Sequence, residues 1–374
     1  MRIAMVCSNH PVNDARVVFK QAASLAAAGH EVRVFGLEAA APVHLPRVTV
    51  EAVSPFKIGI RARLSMIPRL YRPVLRWKPD VVTGHEPETA ALGLLIRARC
   101  GARVIFDVHE LWEETMAARA PAAVRPAALA AFSAALRAIA RRCDWVTVVS
   151  PWNLEFYRAA RCDGRVDIIH NSPPMAMFPP CRHDLEGPVV LAHEGSLGLN
   201  RGMIPMLEAL ALVRQRADVR LLIVGGVKED ERAAFDRKVA QLNLAGAIDA
   251  PGWVLYDKVG ELLSCGQIGI VAMQPTPNNY GGLSNKIFNY MCCGMAAIVP
   301  AGSATADLVR GADCGLAVDT TRPAAMAEAI TQLAQDRALR ARLGANGRRA
   351  IETTFGWHKM ADRLREIYAQ VEKT

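Results

Sequence analysis

The sequence predicts an α/β protein with two Rossmann-like domains, each a doubly wound parallel sheet, facing each other across a cleft. The chain has 374 residues, more than one ordinary core fills, so two domains are expected. Short apolar runs alternate with helical segments along almost the whole chain. The alternation breaks once, at the stretch 171–188 with its five prolines. Together these observations predict the α/β class and a boundary between two domains.

The first domain is predicted to span residues 1–172. Its strands are nearly continuous apolar runs, as expected when helices cover both faces of a parallel sheet. The predicted strands are 2–6, 31–36, 80–84, 103–108, 145–150 and 166–170. The predicted helices are 15–28, 88–99 and 122–142.

A linker at 173–188 is predicted to lead into a second domain at 189–355. The predicted strands of that domain are 189–195, 219–226, 247–253, 268–273, 296–301 and 315–318, and its helices are 202–215, 229–243, 284–293 and 322–335. The final segment, 356–374, has the apolar spacing of an amphipathic helix, and we expect it to pack back on the first domain.

Composition limits the classes of function. Half of the residues are hydrophobic and 22% are charged, which excludes a disordered protein. The net charge of +9 favours an anionic partner such as phosphate or a membrane surface. Nucleic acid is not expected, because no recognised binding motif accompanies the charge.

Location is predicted from cysteine usage and hydropathy. Nine cysteines without a C-x-x-C pair indicate reduced thiols and therefore a cytoplasmic protein. The first residues, MRIAMVC, are typical of a strand and lack the features of a signal peptide. No run of about 20 apolar residues is expected to span a bilayer, since arginines interrupt the alanine-rich segment 120–143.

Ligands of doubly wound sheets bind beyond the carboxyl ends of the strands, so the loops there are the candidate sites. The first loop, 7–17, has no G-x-G-x-x-G and is not expected to bind a dinucleotide. Asp14 is predicted to cap the following helix, with the alternative that it reaches the cleft. His109 follows the strand 103–108, where it either contacts a sugar hydroxyl or carbonyl oxygen or bonds to nearby backbone groups.

Two loops of the second half carry glycines and a cation. The loop 193–202, HEGSLGLNRG, carries Arg201 next to its last residue, at the start of a helix. The stretch 281–294, GGLSNKIFNYMCCG, presents backbone N–H groups and Lys286 at another helix start. An ammonium and a guanidinium beside free N–H groups predict a diphosphate site. Asn289, in the first turn of that helix, can donate and accept hydrogen bonds but carries no charge.

The order of these motifs resembles retaining glycosyltransferases of family 4, which have the GT-B fold. NDARVVFKQAASLAAAGHEVRVFG is similar to the start of that family, with its acid-x-Arg at Asp14 and Arg16, which are candidates for the acceptor side or for the loop. IFDVHELWEE resembles its central histidine motif, GSLGLNRG its glycine-rich loop, LSNKIFNYMCCGMAAIVP its most diagnostic segment, and FGWHKMADRLREIY its last helix. The resemblance covers nearly the whole chain.

The resemblance implies a metal-independent transfer of sugar from a nucleotide-diphosphate sugar, with retention and without a further cofactor. Arg201 and Lys286 would neutralise the diphosphate, and His109 would contact the donor sugar. Gly282 and Leu283 would offer N–H groups to the distal phosphate, with Ser284 beside them. The acceptor hydroxyl would attack from the leaving-group side, its proton passing to the departing phosphate.

Four positions depart from the pattern of the family. Gly281 and Asn289 stand where relatives often have glutamates. In those relatives the glutamate at the first position contacts the hydroxyls of the sugar, and the glutamate at the second binds the ribose hydroxyls. A second cation of the family falls at Ser196. The paired glycines of the first loop are replaced by SNHPVN at 8–13. A subgroup with an asparagine-lysine-aromatic segment exists, so these departures indicate variation within the family.

The acceptor side is predicted from a basic segment, residues 57–78, that carries seven cations and no acid. Apolar residues at helical spacing make it a candidate interfacial helix for anionic lipid, with an ordinary solvated helix as the alternative. Pro68 and Pro73 are expected to kink it. The membrane-facing candidates are Arg61, Arg63, Arg69, Arg72 and Arg76.

The predicted function is transfer of a sugar from a nucleotide sugar to a glycan or lipid-linked acceptor of the cell envelope. The enzyme is expected in the cytoplasm or peripherally on the inner face of the membrane. Two alternatives stay open at this stage: a sugar-nucleotide epimerase on the same fold, and a catalytically silent nucleotide-sugar-binding protein.

Overall fold

Two parallel sheets organise the chain in the computed structural model, which describes residues 1–38, 44–54, 60–161, 163–184 and 186–373. The chain divides into unit 1, Met1–Asn171 with His358–Thr374, and unit 2, Ser172–Trp357. Each unit contains one sheet with helices on both faces, so the predicted pair of Rossmann-like parallel sheets is confirmed.

Seven parallel strands form the sheet of unit 1. They are β1 (Arg2–Pro11), β2 (Glu31–Leu37), β3 (Val48–Ser54), β4 (Val81–Gly84), β5 (Arg103–Val108), β6 (Trp145–Val148) and β7 (Val166–Ile168). Their order is β3-β2-β1-β4-β5-β6-β7. The central strands are buried along their length, which explains their continuous apolar sequence.

Helices and one π-helix cover this sheet. The π-helix Ala15–Ala22 runs directly into α1 (Ala23–Ala27), where a single helix over 15–28 is predicted. The others are α2 (Ile60–Trp77), α3 (Pro87–Cys100), α4 (Trp112–Ala117), α5 (Arg125–Arg142) and α6 (Pro151–Arg158).

Two features of unit 1 differ from the prediction. The edge strand β3 was not predicted, because the polar residues Thr49 and Glu51 interrupt its apolar pattern. β1 continues past residue 6 into the predicted loop, since after a bulge Pro11 pairs with Leu37 of β2.

The sheet of unit 2 has six parallel strands in the order β10-β9-β8-β11-β12-β13. The strands are β8 (Val189–Glu194), β9 (Val219–Val224), β10 (Ile248–Gly252), β11 (Ile268–Ile270), β12 (Ala296–Pro300) and β13 (Gly315–Val318). The helices are α7 (Met203–Val213), α8 (Arg232–Gln241), α9 (Tyr256–Leu263), α10 (Pro277–Gly281), α11 (Asn285–Cys292), α12 (Ala304–Gly311), α13 (Pro323–Gln335) and α14 (Arg337–Ala350), which is followed by a π-helical turn, Ile351–Phe355.

The proline-rich stretch before β8 lies within unit 2. Phe178 is fully buried in its core, and the N–H of Cys181 donates to the carbonyl of Cys293 at 2.7 Å. The stretch has no regular period because its fit depends on single side chains and backbone groups.

The last helix, α15 (Trp357–Lys373), belongs to unit 1 although it follows unit 2 in sequence. Tyr368 is buried and its hydroxyl lies 2.5 Å from Thr83 Oγ1 of β4. Arg363 forms an ion pair with Asp167 of β7 at 2.6 Å. Unit 1 is therefore built from both ends of the chain.

Candidate functional site

A buried carboxylate organises the carboxyl end of β5 in unit 1. Asp107 accepts two hydrogen bonds from Arg16, at 3.0 and 2.7 Å, and others from Gln21 and Thr147 at 2.8 and 2.6 Å. Burial acts to raise the pKa of Asp107, but the charge of Arg16 holds it well below its usual range. Asp107 is therefore an anion that the surrounding donors fix in one orientation.

His109 is held by this carboxylate. Its Nε2 lies 2.5 Å from Asp107 Oδ2, and His85 Nδ1 lies 3.1 Å from the same oxygen. Burial lowers the pKa of His109 to about 4, although Asp107 acts to raise it, so the ring is neutral near pH 7. With the proton of Nε2 donated to Asp107, Nδ1 of His109 is an acceptor for a ligand hydroxyl.

His85, Asp107 and His109 also form the one grouping in the described ranges whose atoms could together hold a metal ion. Asp107 is already engaged by Arg16, Gln21 and Thr147, and a divalent cation would face the guanidinium of Arg16. Because Arg16 supplies the compensating positive charge, we interpret these atoms as a hydrogen-bonded cluster.

Asp14 and Arg16 stabilise the structure around the first loop. The carboxylate of Asp14 accepts from the N–H groups of Arg16 and Val17, which is the predicted cap. His10 lies 3.3 Å from Asp14. Burial acts to lower the pKa of His10, but the hydrogen bond to Asp14 together with the charges of Asp14 and Glu86 raises it to about 9. Arg16 was a candidate for the acceptor side or for the loop; its side chain is buried against Asp107 and orients the cluster around His109.

In unit 2 the glycine-rich loop after β8 passes beside Lys286. Gly195 has φ +82°, and a Cβ at that position would lie 3.2 Å from Lys286 Nζ. Gly202 has φ +75°, and a Cβ there would meet the carbonyl oxygen of Ala272 at 2.1 Å, so only glycine fits. The structure thus brings together the two loops that sequence reasoning paired.

Lys286 and Arg201 are cations without a partner in the described part of the chain. Lys286 is 6% exposed and its Nζ makes no hydrogen bond or ion pair with the described residues. Arg201 Nε is buried and equally unpaired there. Burial lowers the pKa of Lys286 to about 8, with Arg201 acting in the same direction and Glu194 opposing it. Two such charges can attract an anion.

His193 lies beside these cations at the end of β8. It is buried, and burial, together with the charges of Lys286 and Arg201, holds its pKa well below the usual range. The ring is therefore neutral and adds no charge to the site.

The N–H groups that are free at the start of α11 are not all those that were predicted. The N–H of Gly282 donates to the carbonyl of Asn278, and the N–H of Ser284 donates to Thr305 Oγ1, both at 3.2 Å. These two groups are therefore not free for phosphate. The N–H groups of Leu283, Asn285 and Lys286 have no acceptor among the described residues and remain available.

Asn289 is joined to a residue that sequence reasoning missed. Its Nδ2 donates to Glu194 Oε2 at 2.8 Å, and the N–H of Glu194 donates to the hydroxyl of Tyr290 at 3.1 Å. Glu194 stands at the end of a strand, immediately before the glycine-rich loop, and this position was the available signal. Ser196, in that loop, carries no charge into the site. Gly281 is buried at the end of α10.

The basic helix α2 has its apolar face covered by unit 1 itself. Met66, Leu70 and Val74 are buried in the core beneath it. Of the membrane-facing candidates, Arg61, Arg69, Arg72 and Arg76 are exposed. Lys57, in the same basic segment, lies outside the described residues. Arg63 was wrongly included: it is 3% exposed and bound to Glu88 at 2.7 Å, because its position falls on the inner face of the helix.

An apolar cavity of ≈ 450 Å³ lies in unit 1 between α2, α3, α4 and α5. Its lining includes Leu64, Trp112, Met116, Phe132, Ala135 and Leu136. Leu64 is 55% exposed at this cavity, so an apolar side chain and the arginines of α2 share one exposed helical face.

The segment Ala122–Arg142, containing α5, is the one described helix that is long and apolar enough to cross a membrane by length and composition. This differs from the expectation that no segment would qualify. The helix packs Leu136 and Ala140 into unit 1 and leaves its alanine-rich side exposed, so in this structure it is part of the fold.

Comparisons with known proteins agree with this architecture. A model described as Glycosyltransferase Family 4 matches residues 15–172, and one described as Glycosyl transferases group 1 matches residues 188–336. A phosphatidyl-myo-inositol mannosyltransferase of Mycobacterium leprae is 24% identical over 391 aligned positions, covering 99% of this chain and 97% of that protein.

Solved structures resemble the chain over its whole length. Sucrose-phosphate synthase from Thermosynechococcus elongatus superposes with a TM-score of 0.80 at 21% identity, covering 100% of this chain and 99% of the other. HepE of Anabaena, in complex with UDP and glucose, superposes with a TM-score of 0.75 at 14% identity and covers 99% of each chain. At these identities the likeness establishes the fold alone.

Proposed function

The chain belongs to the GT-B glycosyltransferases described by these two family models, and on that premise we propose that it transfers a sugar, with retention, from a nucleotide-diphosphate sugar to a lipid-linked or glycan acceptor of the cell envelope. The observation that carries the proposal is the pair of unpartnered cations in unit 2, Lys286 and Arg201.

The donor diphosphate would bind at the start of α11. There Lys286, Arg201 and the free N–H groups of Leu283 and Asn285 supply positive charge that no described carboxylate pairs with. A leaving diphosphate gains charge as the glycosidic bond breaks, and fixed donors of this kind stabilise it. UDP in the complex of HepE is consistent with such a ligand.

We assign the charge compensation to these side chains and propose that the reaction needs no metal ion. The acceptor hydroxyl would attack on the face that the diphosphate leaves, and its proton would pass to the leaving phosphate. His109, neutral and held by Asp107, would accept a hydrogen bond from a hydroxyl of the donor sugar. No protein nucleophile is required by this scheme.

Of the two classes of acceptor, unit 1 favours the lipid-linked one. The cavity of unit 1 is apolar and of a size for part of a hydrocarbon chain, and the exposed arginines of α2 lie on the helix that lines it. Arginines without neighbouring acids attract anionic headgroups, and this charge supports our proposal that the enzyme works at the inner membrane surface. The substrate in the name of the M. leprae relative, phosphatidyl-myo-inositol, is an anionic lipid.

Calorimetry with UDP, GDP and ADP in the presence of EDTA tests the donor site. We expect at least one of them to bind the intact protein, and the corresponding nucleotide sugar to be consumed only when an acceptor is present. Binding of none of the three would refute the transferase. Conversion of the donor without an acceptor would identify an epimerase. Donor binding without turnover across a broad panel of acceptors would identify a catalytically silent binding protein.

Quenching of tryptophan fluorescence tests the cavity. Vesicles of phosphatidylglycerol with brominated acyl chains should quench the wild-type protein, and Trp112→Phe should remove part of that quenching because Trp112 lines the cavity. Trp253→Phe is the control, since Trp253 is exposed in unit 2. Equal quenching in wild type and Trp112→Phe would exclude a hydrocarbon chain from the cavity.

A further inference from the structure

Glu194 has an unusual position for an acid. It ends β8 beside the two unpartnered cations, and its backbone is fixed by the hydroxyl of Tyr290, which in turn donates to the carbonyl of Ile270. In the described residues it forms no ion pair with Lys286 or Arg201. A carboxylate next to an anion site repels the anion, so its presence there needs a compensating interaction with the ligand.

The bond between Asn289 and Glu194 defines which acceptors remain free. A carboxylate only accepts, so the NH₂ of Asn289 must face Glu194, and its carbonyl Oδ1 must point the other way. Oε1 of Glu194 and Oδ1 of Asn289 make no hydrogen bond with the described residues. The pair therefore presents two acceptors, and its complement is a group with two neighbouring O–H donors.

We propose that Glu194, oriented by Asn289, binds a vicinal diol of the nucleotide-sugar donor. The inference rests on the proposed function and adds a specificity-determining residue to its donor site. Two parts of the donor offer such a diol, the ribose and the transferred sugar. The carboxylate is thus supplied by Glu194 at the end of β8. Asn289 of α11 supplies the amide that donates a hydrogen bond to it.

A different role for Glu194 would be to keep Lys286 protonated, since its charge acts to raise the pKa of that lysine. The two roles differ in what they recognise. A charge effect on Lys286 changes the affinity of every anion equally, whereas a hydrogen bond to a diol changes only ligands that carry the diol.

The experiment compares wild type and Glu194→Gln by calorimetry near pH 7. The probes are the tightest of UDP, GDP and ADP, its 2′,3′-dideoxy analogue, its nucleotide sugar, and pyrophosphate. If the diol is the ribose, the wild-type preference for the diphosphate over its dideoxy analogue should fall about tenfold in the variant, because a charge-assisted bond becomes a neutral one. If it is the sugar, the preference for the nucleotide sugar over the diphosphate should fall instead.

Two further variants keep the result independent of folding. Glu261→Gln makes the same chemical change at an exposed site of unit 2 and should leave every ratio unchanged. The exchange Glu194→Asn with Asn289→Glu moves the carboxylate to α11 and should recover most of the lost preference. Asn289→Glu alone places two carboxylates together and should weaken binding of all probes.

The outcomes separate the two proposals. If the wild type binds no nucleoside diphosphate, the proposed function fails and this inference fails with it. If it binds one, and Glu194→Gln alters neither ratio, or alters the affinities of all probes including pyrophosphate by the same factor, only the inference fails.

Discussion

Lys286 is a charged side chain that the fold buries beside a second cation, and such a charge costs free energy until an anion compensates it. The cost is acceptable at a ligand site because binding recovers it. Strained or unpaired groups of this kind are expected where function requires them.

We expect Lys286→Met to weaken nucleoside-diphosphate binding by about 2 kcal/mol, roughly 30-fold, because a charge-assisted hydrogen bond to phosphate is lost. Lys258→Met is the control, since Lys258 is exposed in unit 2 and pairs with Glu261. Calorimetry measures both. Equal affinities in the two variants would show that Lys286 does not contact the phosphates.

The pH dependence of binding follows from the same lysine. Burial lowers the pKa of Lys286 to about 8, and a bound diphosphate should raise it again, so the ligand binds less tightly as pH rises above 8. Near about pH 8.5 binding should take up a proton, which calorimetry in buffers of different ionisation enthalpy detects. Lys286→Met should abolish that uptake, and its persistence would assign the proton to a different group.

The stability of the unliganded protein should depend on pH in the opposite direction to ligand binding. The unfolded lysine has a pKa of about 10.4, above the folded value, so this group favours the folded state more as pH rises from 8 towards 10.

Asp107→Asn is expected to destabilise the protein by about 3–5 kcal/mol, because the buried guanidinium of Arg16 loses its counter-charge. Asp184→Asn removes a fully exposed partner of Arg182 and should cause no measurable change. Urea unfolding compares the two variants. A small effect of Asp107→Asn would mean that Gln21, Thr147 and the histidines hold the cluster without the charge.

At the level of residues, sequence indicated the cations of the site better than its acid. Lys286 and Arg201 follow glycines at helix starts, and this pattern has a direct physical meaning. Glu194 is the last residue of β8, and the direction of its side chain depends on the register of β8 against its neighbouring strands. His85 was missed for a similar reason, because its role appears only when β4 and β5 are placed side by side.

Among the elements, the central strands were predictable because burial on both faces leaves a continuous apolar run. The edge strand β3 was not, since pairing on one side permits polar residues. α2 was predicted as a basic amphipathic helix, but sequence could not determine that its apolar face is used internally. Met66, Leu70 and Val74 serve the core, and the exposed face retains mainly charge.

The exposed arginines of α2 should contribute to membrane binding. Replacing Arg61, Arg72 and Arg76 together by glutamine should reduce binding to phosphatidylserine-containing vesicles by about 3 kcal/mol, more than 100-fold, at about 1 kcal/mol for each charge. Vesicle sedimentation at low and high salt measures this.

The control for that measurement is the triple glutamine variant of Arg232, Arg310 and Arg342, which are exposed in unit 2 and give the same net charge. If both triple variants lose binding equally, net charge alone governs the association and α2 is not the membrane-facing helix.

For the whole molecule, the return of α15 to unit 1 predicts how the chain tolerates truncation. Removing residues 358–374 deletes the buried side chains of Leu364, Ile367, Tyr368 and Val371. At about 1.5–3 kcal/mol each, the loss matches the usual stability of a domain, so unit 1 should unfold. Limited proteolysis should cleave unit 1 first and leave residues 172–357 protected.

Tyr368→Phe is the mild counterpart, because it removes only the hydrogen bond to Thr83 and should cost about 1 kcal/mol. Resistance of unit 1 to protease after truncation would mean that its sheet is stable without α15.

The placement of α15 also has a consequence for synthesis on the ribosome. The strands of unit 1 emerge first, but the helix that covers Thr83 is translated only after the 186 residues of Ser172–Trp357. At about 5–20 residues per second this delay is roughly 10–40 s, during which an apolar surface of the nascent chain stays uncovered. Newly made protein should therefore need chaperone protection until α15 has emerged from the ribosome. Slow translation, or termination before α15, should yield aggregates in which unit 2 is already folded.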